Sequence, residues 1–225
     1  MLLTAALAMV AVLLALAAAG VVLAHGPRAH APVYGLSLVA SAVGLALALA
    51  ALIGGGEPER LVLPLGLPWI GAHFRLDALA AFFLAVINLG GASASLYALG
   101  YGRHEPEPGR VLPYFPAFLA GMNLVLLADD AFTFLLSWEL MSVMSWVLVM
   151  AHHREAGNAR AGYVYLVMAS FGTLALLLAF GLLAGPDGGY GFDVMRHTVA
   201  APGLAALVLA LALLGAGSKA GLVPL

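Results

Sequence analysis

The pattern of apolar and polar positions divides this chain by length. Seven apolar stretches, near 2–24, 31–53, 77–99, 111–128, 130–151, 161–184 and 202 to the chain end, each reach about 20 residues, the length a helix needs to cross a bilayer. The pattern therefore predicts an all-α, polytopic transmembrane helix bundle. The first stretch has no Lys or Arg ahead of it and is long for the apolar part of a secretory signal, so it is read as a true span. Connections are short except 54–76, where "RLVLPLGLPWIGAHFRLD" alternates apolar residues around Pro64, Gly66 and Pro68. That predicts a short hairpin on the outer surface, a brace more than a site. The resulting organisation is a three-helix membrane region over 1–110, with its external hairpin loop at 54–76, followed by spans four to seven over 111–225.

Composition agrees and removes whole classes of function. Hydrophobic residues make up 64% of the chain and charged residues 9%, far from a water-soluble domain. The formal net charge of -2 leaves no basic footprint for nucleic acid. Zero cysteines exclude disulfides, thiolate metal ligands and a cysteine nucleophile. His25, His30, His73, His104 and His197 are scattered over the connections without ligand spacing, so no histidine metal site is expected.

Arginines orient the bundle, because Lys and Arg are retained on the cytoplasmic side during insertion. Loops one, three and five carry Arg28, Arg103, Arg110, Arg154 and Arg160; loops two, four and six carry Arg60, Arg75 and Arg196. This bias places the N-terminus outside and the Arg154 loop in the cytoplasm of a cell whose inner (plasma) membrane holds the chain.

A charge within a span costs a few kcal/mol at the helix centre and needs a partner or a wet cavity. Two residues qualify: Glu139, alone in charge from Ala131 to Ala151, and Lys219 in the last apolar run. Asp77, Asp129 and Asp130 stand at span ends and read as boundary residues. Ser142, three residues after Glu139, and Trp146, seven after it, share its helical face, with Ser145 beside them. Lys219 sits in "LLGAGSKAGLVPL", whose Gly215, Gly217 and Gly221 permit close backbone approach and whose Pro224 cannot donate to the carbonyl of Ala220. The helix is expected to break or kink just beyond the lysine.

A buried Glu and a buried Lys form a pair whose protonation is switchable, since desolvation disfavours both charges and proximity favours both. A static salt bridge between spans five and seven has the same sequence, so both readings stand at this point. Further relay candidates are His152 and His153 at the end of span five, with His153 about 21 Å along the axis from Glu139. Tyr163, Ser170 and Thr173 form a loose hydroxyl stripe on span six that suits either a water chain or helix packing.

"DDAFTFLLSWELMSVMSWVLVMAHH" resembles the fifth span of the proton-translocating, antiporter-like membrane subunits of respiratory complex I, multisubunit cation/proton antiporters and membrane-bound hydrogenases. "GSKAGLVPL" resembles the lysine-bearing, discontinuous seventh span of that family, and "FRLDALAAFF" its third-span entry. The "WELMS" form followed by "HH" is most similar to the hydrogenase-4 component B and formate hydrogenlyase subunit 3 branch. The resemblance implies a bundle that is the first half of an inverted-repeat fold, with Glu139 tuning Lys219 as the central protonatable group. It also implies a non-redox subunit without catalytic cofactor or quinone chemistry, working beside other membrane and peripheral subunits of a respiratory or hydrogenase complex. Family chains carry about twice as many spans, so this sequence is expected to be an N-terminal fragment. Two other readings stay open: a non-conducting scaffold or assembly subunit whose Glu-Lys pair is a strut, and a subunit of a Na⁺/H⁺ antiporter.

Overall fold

The computed structural model describes residues 1–23, 29–155, 157–186, 188–198 and 201–221. His25, Arg28 and Pro224, each singled out in the sequence, lie outside the described residues. In chain order the elements are α1 (Leu2–Leu23), α2 (His30–Gly54), β1 (Glu59–Leu63), β2 (Ala72–Leu76), α3 (Ala78–Tyr101), α4 (Tyr114–Leu127), α5 (Ala131–Val149), α6 (Asn158–Ala184), α7 (Phe192–Arg196) and α8 (Pro202–Ala220). Every α-helix in this series but α7 is long and apolar enough to cross a membrane. The chain is a multi-pass, all-α membrane protein.

These helices are apolar on every side, so residue size, more than polarity, marks the face that packs inward. On α1 the buried positions are Leu3, Ala6, Met9, Val10, Leu13, Leu16 and Gly20, three or four apart, while Val12, Leu14 and Val21 stay on the outside. Helices α2 and α3 pack through small residues: a Cβ on Gly44 would meet Asn88, and one on Gly91 would meet Ser41 Oγ at 2.8 Å. α4 closes this group, with Asn88 Nδ2 donating to Asn123 Oδ1 at 2.7 Å between two fully buried amides. Such an interhelical bond contributes about 0.6–2 kcal/mol inside a membrane.

One end of the bundle is stitched by backbone. β1 and β2 form the expected hairpin, antiparallel with Glu59 opposite Leu76. It does more than cover a surface, because β2 continues into the α4–α5 turn. Phe74 bridges Ala128, and Asp129 N–H donates to His73 O at 2.8 Å. On its other side the turn holds the α6–α7 connection: Ala131 N–H donates to Tyr190 O at 3.0 Å and Phe192 N–H to Asp129 O at 3.1 Å.

The three boundary aspartates tie helix starts into this stitching. Asp77 caps α3 by accepting from Ala80 N–H at 2.8 Å. Asp130, fully buried, caps α5 through Thr133 N–H at 2.8 Å and takes His73 N–H on its other oxygen at 2.9 Å. Each supplies an acceptor to backbone donors that a helix start leaves open. Arg75 lies between Asp77 and Asp129, at 3.0 Å and 3.2 Å. Glu59 does the same for α1, accepting from the N–H groups of Leu2 and Leu3 at 3.1 Å and 2.9 Å.

Helix bounds follow the apolar stretches with local differences. α6 begins at Asn158, ahead of the expected 161, because Gly157 takes φ +95 and turns the chain into the helix. The short α7 is absent from the sequence reading, since five residues are too few for a periodic pattern. α8 ends at Ala220, immediately after Lys219. Gly221 adopts φ +72 there and its N–H donates to Gly217 O, a glycine cap.

Candidate functional site

The site is assembled by α5, α6 and α8. α5 packs on α6, and α6 packs on α8. Two glycines set the second distance. A Cβ on Gly172 would lie 2.9 Å from Gly215 O, and one on Gly215 would lie 2.8 Å from Gly172 O. Only hydrogen at both positions lets the two backbones come this close, the small-residue packing that membrane helices use. α8 is thereby held near enough for the lysine at its end to reach side chains on both other helices.

Lys219 Nζ donates to Ser142 Oγ on α5 at 3.0 Å and to the Tyr165 hydroxyl on α6. The ammonium also lies 4.7 Å from the centroid of the Tyr165 ring, where the negative face of the π system attracts a cation. Ser142 is buried at 1% exposure, so its hydroxyl is directed into the bundle. Glu139, half-buried three residues earlier on α5, takes a different partner: Thr173 Oγ1 on α6 donates to its Oε1 and also to Ala169 O at 3.2 Å.

Glu139 and Lys219 therefore form no ion pair among the described residues. Each charged group has neutral hydroxyl partners, and the two sets are joined along α5 by the Glu139 to Ser142 spacing, about 4.5 Å of helix rise. This geometry matters chemically. A hydroxyl accepts from an ammonium and donates to an amine, and it donates to a carboxylate and accepts from a carboxylic acid. Both titratable groups can change protonation state without leaving a buried partner unsatisfied.

Among the relay candidates the structure brings Ser142 and Thr173 to the charged residues. Tyr163 is 69% exposed and Ser170 is exposed, both on the outer side of α6 and away from Glu139 and Lys219. His152 and His153 belong to a separate cluster beyond α5. His152 Nε2 lies 3.3 Å from Glu105 Oε1, and Arg110 donates to His153 Nδ1 at 2.6 Å. Glu107 there pairs with Arg110 and, at 3.0 Å, with Arg154. These contacts pin the loop before α4 to the loop after α5, so Arg103, Arg110, Arg154 and Arg160 gather at the end opposite the hairpin.

Tyr165 is absent from the sequence reading. Its signal was the buried stripe of small residues Gly162, Ala169, Gly172, Ala175 and Ala179 on α6. Tyr165 falls four residues before Ala169 and seven before Gly172, on the face turned to α8, whereas Tyr163 falls outside it.

Comparison with known proteins places this arrangement. Residues 128–225, which contain α5, α6 and α8, match the family described as NADH:quinone oxidoreductase/Mrp antiporter, transmembrane. An uncharacterized protein of Mycobacterium tuberculosis is 40% identical over 191 residues, covering 84% of this chain and 29% of that protein. Hydrogenase-4 component B of Escherichia coli is 37% identical over 153 residues, covering 67% of this chain and 23% of that protein. The structure of the Mrp complex from Dietzia sp. superposes with a TM-score of 0.77 at 23% identity, over 96% of this chain and 24% of that one, a likeness of fold. This chain thus spans under a third of the length of these relatives.

Proposed function

Since this chain belongs to the NADH:quinone oxidoreductase/Mrp antiporter family of membrane subunits, we propose that it translocates protons, with Glu139 and Lys219 as the groups that carry them. The observation that carries this reading is the seat of Lys219 on Ser142, one helical turn from Glu139, with hydroxyl partners at each charged group. Protons pass between Glu139 and Lys219 along this row. Thr173 orients the carboxylate, and the first three helices with the hairpin brace the spans that carry the site.

The subunit works within a larger membrane assembly. Its relatives include a numbered component of a hydrogenase and a chain of an Mrp complex. Energy for translocation comes from redox chemistry in neighbouring subunits, and this subunit contributes no cofactor of its own. The membrane is the inner (plasma) membrane. The N-terminus lies outside, supported by the arginines gathered at the end that holds the His152 and His153 cluster. The strut reading has less support, because a strut would pair Glu139 directly with Lys219.

The test uses the full-length protein in its native complex, in inverted membrane vesicles, with Glu139→Gln and Lys219→Ala and assembly followed alongside proton translocation. Translocation lost from fully assembled complex supports the proposal, and normal translocation in both variants removes it.

A further inference from the structure

Lys219 has an aromatic partner that neither composition nor the family match singles out. Its ammonium is held from two sides by groups of different character. Ser142 offers a hydroxyl from α5; Tyr165 offers from α6 both a hydroxyl and a ring face, the ring centroid 4.7 Å from Nζ. Among the described residues, the titratable group in contact with Lys219 is Tyr165 on α6, and Glu139 stands three positions before Ser142 on α5. No described carboxylate forms an ion pair with the ammonium.

From this geometry we infer that Tyr165 is a positioning residue for Lys219, holding its nitrogen beside Ser142 in both protonation states. The two parts of the side chain do separate work. The hydroxyl accepts from the ammonium and donates to the amine left after deprotonation, so the lysine keeps its seat when it releases a proton. The ring face attracts the ammonium and so keeps the nitrogen seated against α6. A carboxylate in the same place would hold the charged form far more strongly and oppose release. An aromatic hydroxyl is a milder partner suited to a group that must both load and unload.

The inference rests on the proton-translocating reading above, and its test separates the two. Proton translocation is measured against pH in vesicles carrying the full-length protein in its complex, for Tyr165→Phe, Tyr165→Leu and Lys219→Ala, with assembly quantified. Tyr165→Leu removes ring and hydroxyl. Translocation by this variant is expected to fall about tenfold, with the alkaline limb of its pH profile displaced, because the ammonium has lost the ring face and the hydroxyl of Tyr165. Tyr165→Phe keeps the ring and is expected to move the limb in the same direction by less. If Tyr165→Leu does not assemble, Tyr165→Phe decides alone: a displaced limb supports the inference and a wild-type profile overturns it. An unmoved pH profile in assembled Tyr165→Leu overturns it as well, whatever the rate. Translocation that survives Lys219→Ala removes the underlying reading; translocation lost there with Tyr165 variants of wild-type profile removes only the role of Tyr165.

Discussion

Glu139 accepts a hydrogen bond from Thr173 on α6, and Lys219 donates one to Ser142 on the helix that carries Glu139. The acid on α5 and the acceptor that seats the base of α8 are thus three positions apart on one helix, and the acid and base form no salt bridge among the described residues. An ion pair buried in a membrane would hold both charges in place; here each charged group is met by hydroxyls.

Thr173 is the donor that makes the position of Glu139 tolerable. Thr173→Val keeps the shape and removes the hydroxyl, leaving a half-buried carboxylate short of a partner. The expected cost is about 1–3 kcal/mol, visible as earlier thermal unfolding in detergent, together with slowed translocation. Thr173→Ser, which restores a donor, should recover most of both.

Gly215 controls how near α8 comes to α6. A methyl group there would sit 2.8 Å from Gly172 O and 2.6 Å from Leu176 Cγ, so Gly215→Ala must push the helices apart or shift the Leu176 side chain. Overpacking of this kind costs about 1–3 kcal/mol. Lys219 should then lose its reach to Ser142 and Tyr165, and translocation should fall more than stability does. Gly181→Ala, at a position with open space, serves as the silent control.

Glu59 lies outside the spans, where pH acts on the stitching of hairpin to α1. Its carboxyl is held below the usual carboxylate range, first by its hydrogen bond with the N-terminal ammonium and then by the N–H groups of Leu3 and Leu2. A lowered value in the folded state means that the contribution is present above the unfolded carboxylate pKa, about 4.3, and is lost as pH falls through the lower folded value. Protection of the Leu3 amide from hydrogen exchange, relative to its intrinsic rate at each pH, should therefore fall only under acid conditions. In Glu59→Gln this protection should already be low at neutral pH and change little with acid.

Much of this was legible in the sequence, for an identifiable reason. Apolar runs of bilayer length fix the number of spans, because backbone in lipid has few alternatives to a helix. Glu139 and Lys219 stand out because charge in lipid is costly, and Ser142 follows from its spacing on α5. Pro64, Gly66 and Pro68 marked the hairpin region, since they interrupt what would otherwise be another apolar run.

What was not legible concerns faces. In water, polarity distinguishes Tyr163 from Tyr165; in a helix surrounded by lipid both are acceptable on either side. Only the small residues of α6, read together with those of α8, turn Tyr165 inward. The attachment of Asp129 and Asp130 to both His73 and Tyr190 was hidden for a similar reason, because it joins backbone segments far apart in sequence.

The central claim is that Lys219 carries a proton and releases it, as distinct from supplying a fixed positive charge. Lys219→Arg tests this most directly, because a guanidinium keeps the charge and donates hydrogen bonds but does not deprotonate in a protein. The measurement is proton translocation by fully assembled complex in inverted vesicles. Lys219→Arg is expected to assemble normally and to translocate no better than Lys219→Ala. Translocation at the wild-type rate in Lys219→Arg would contradict the claim and leave Lys219 as a fixed charge.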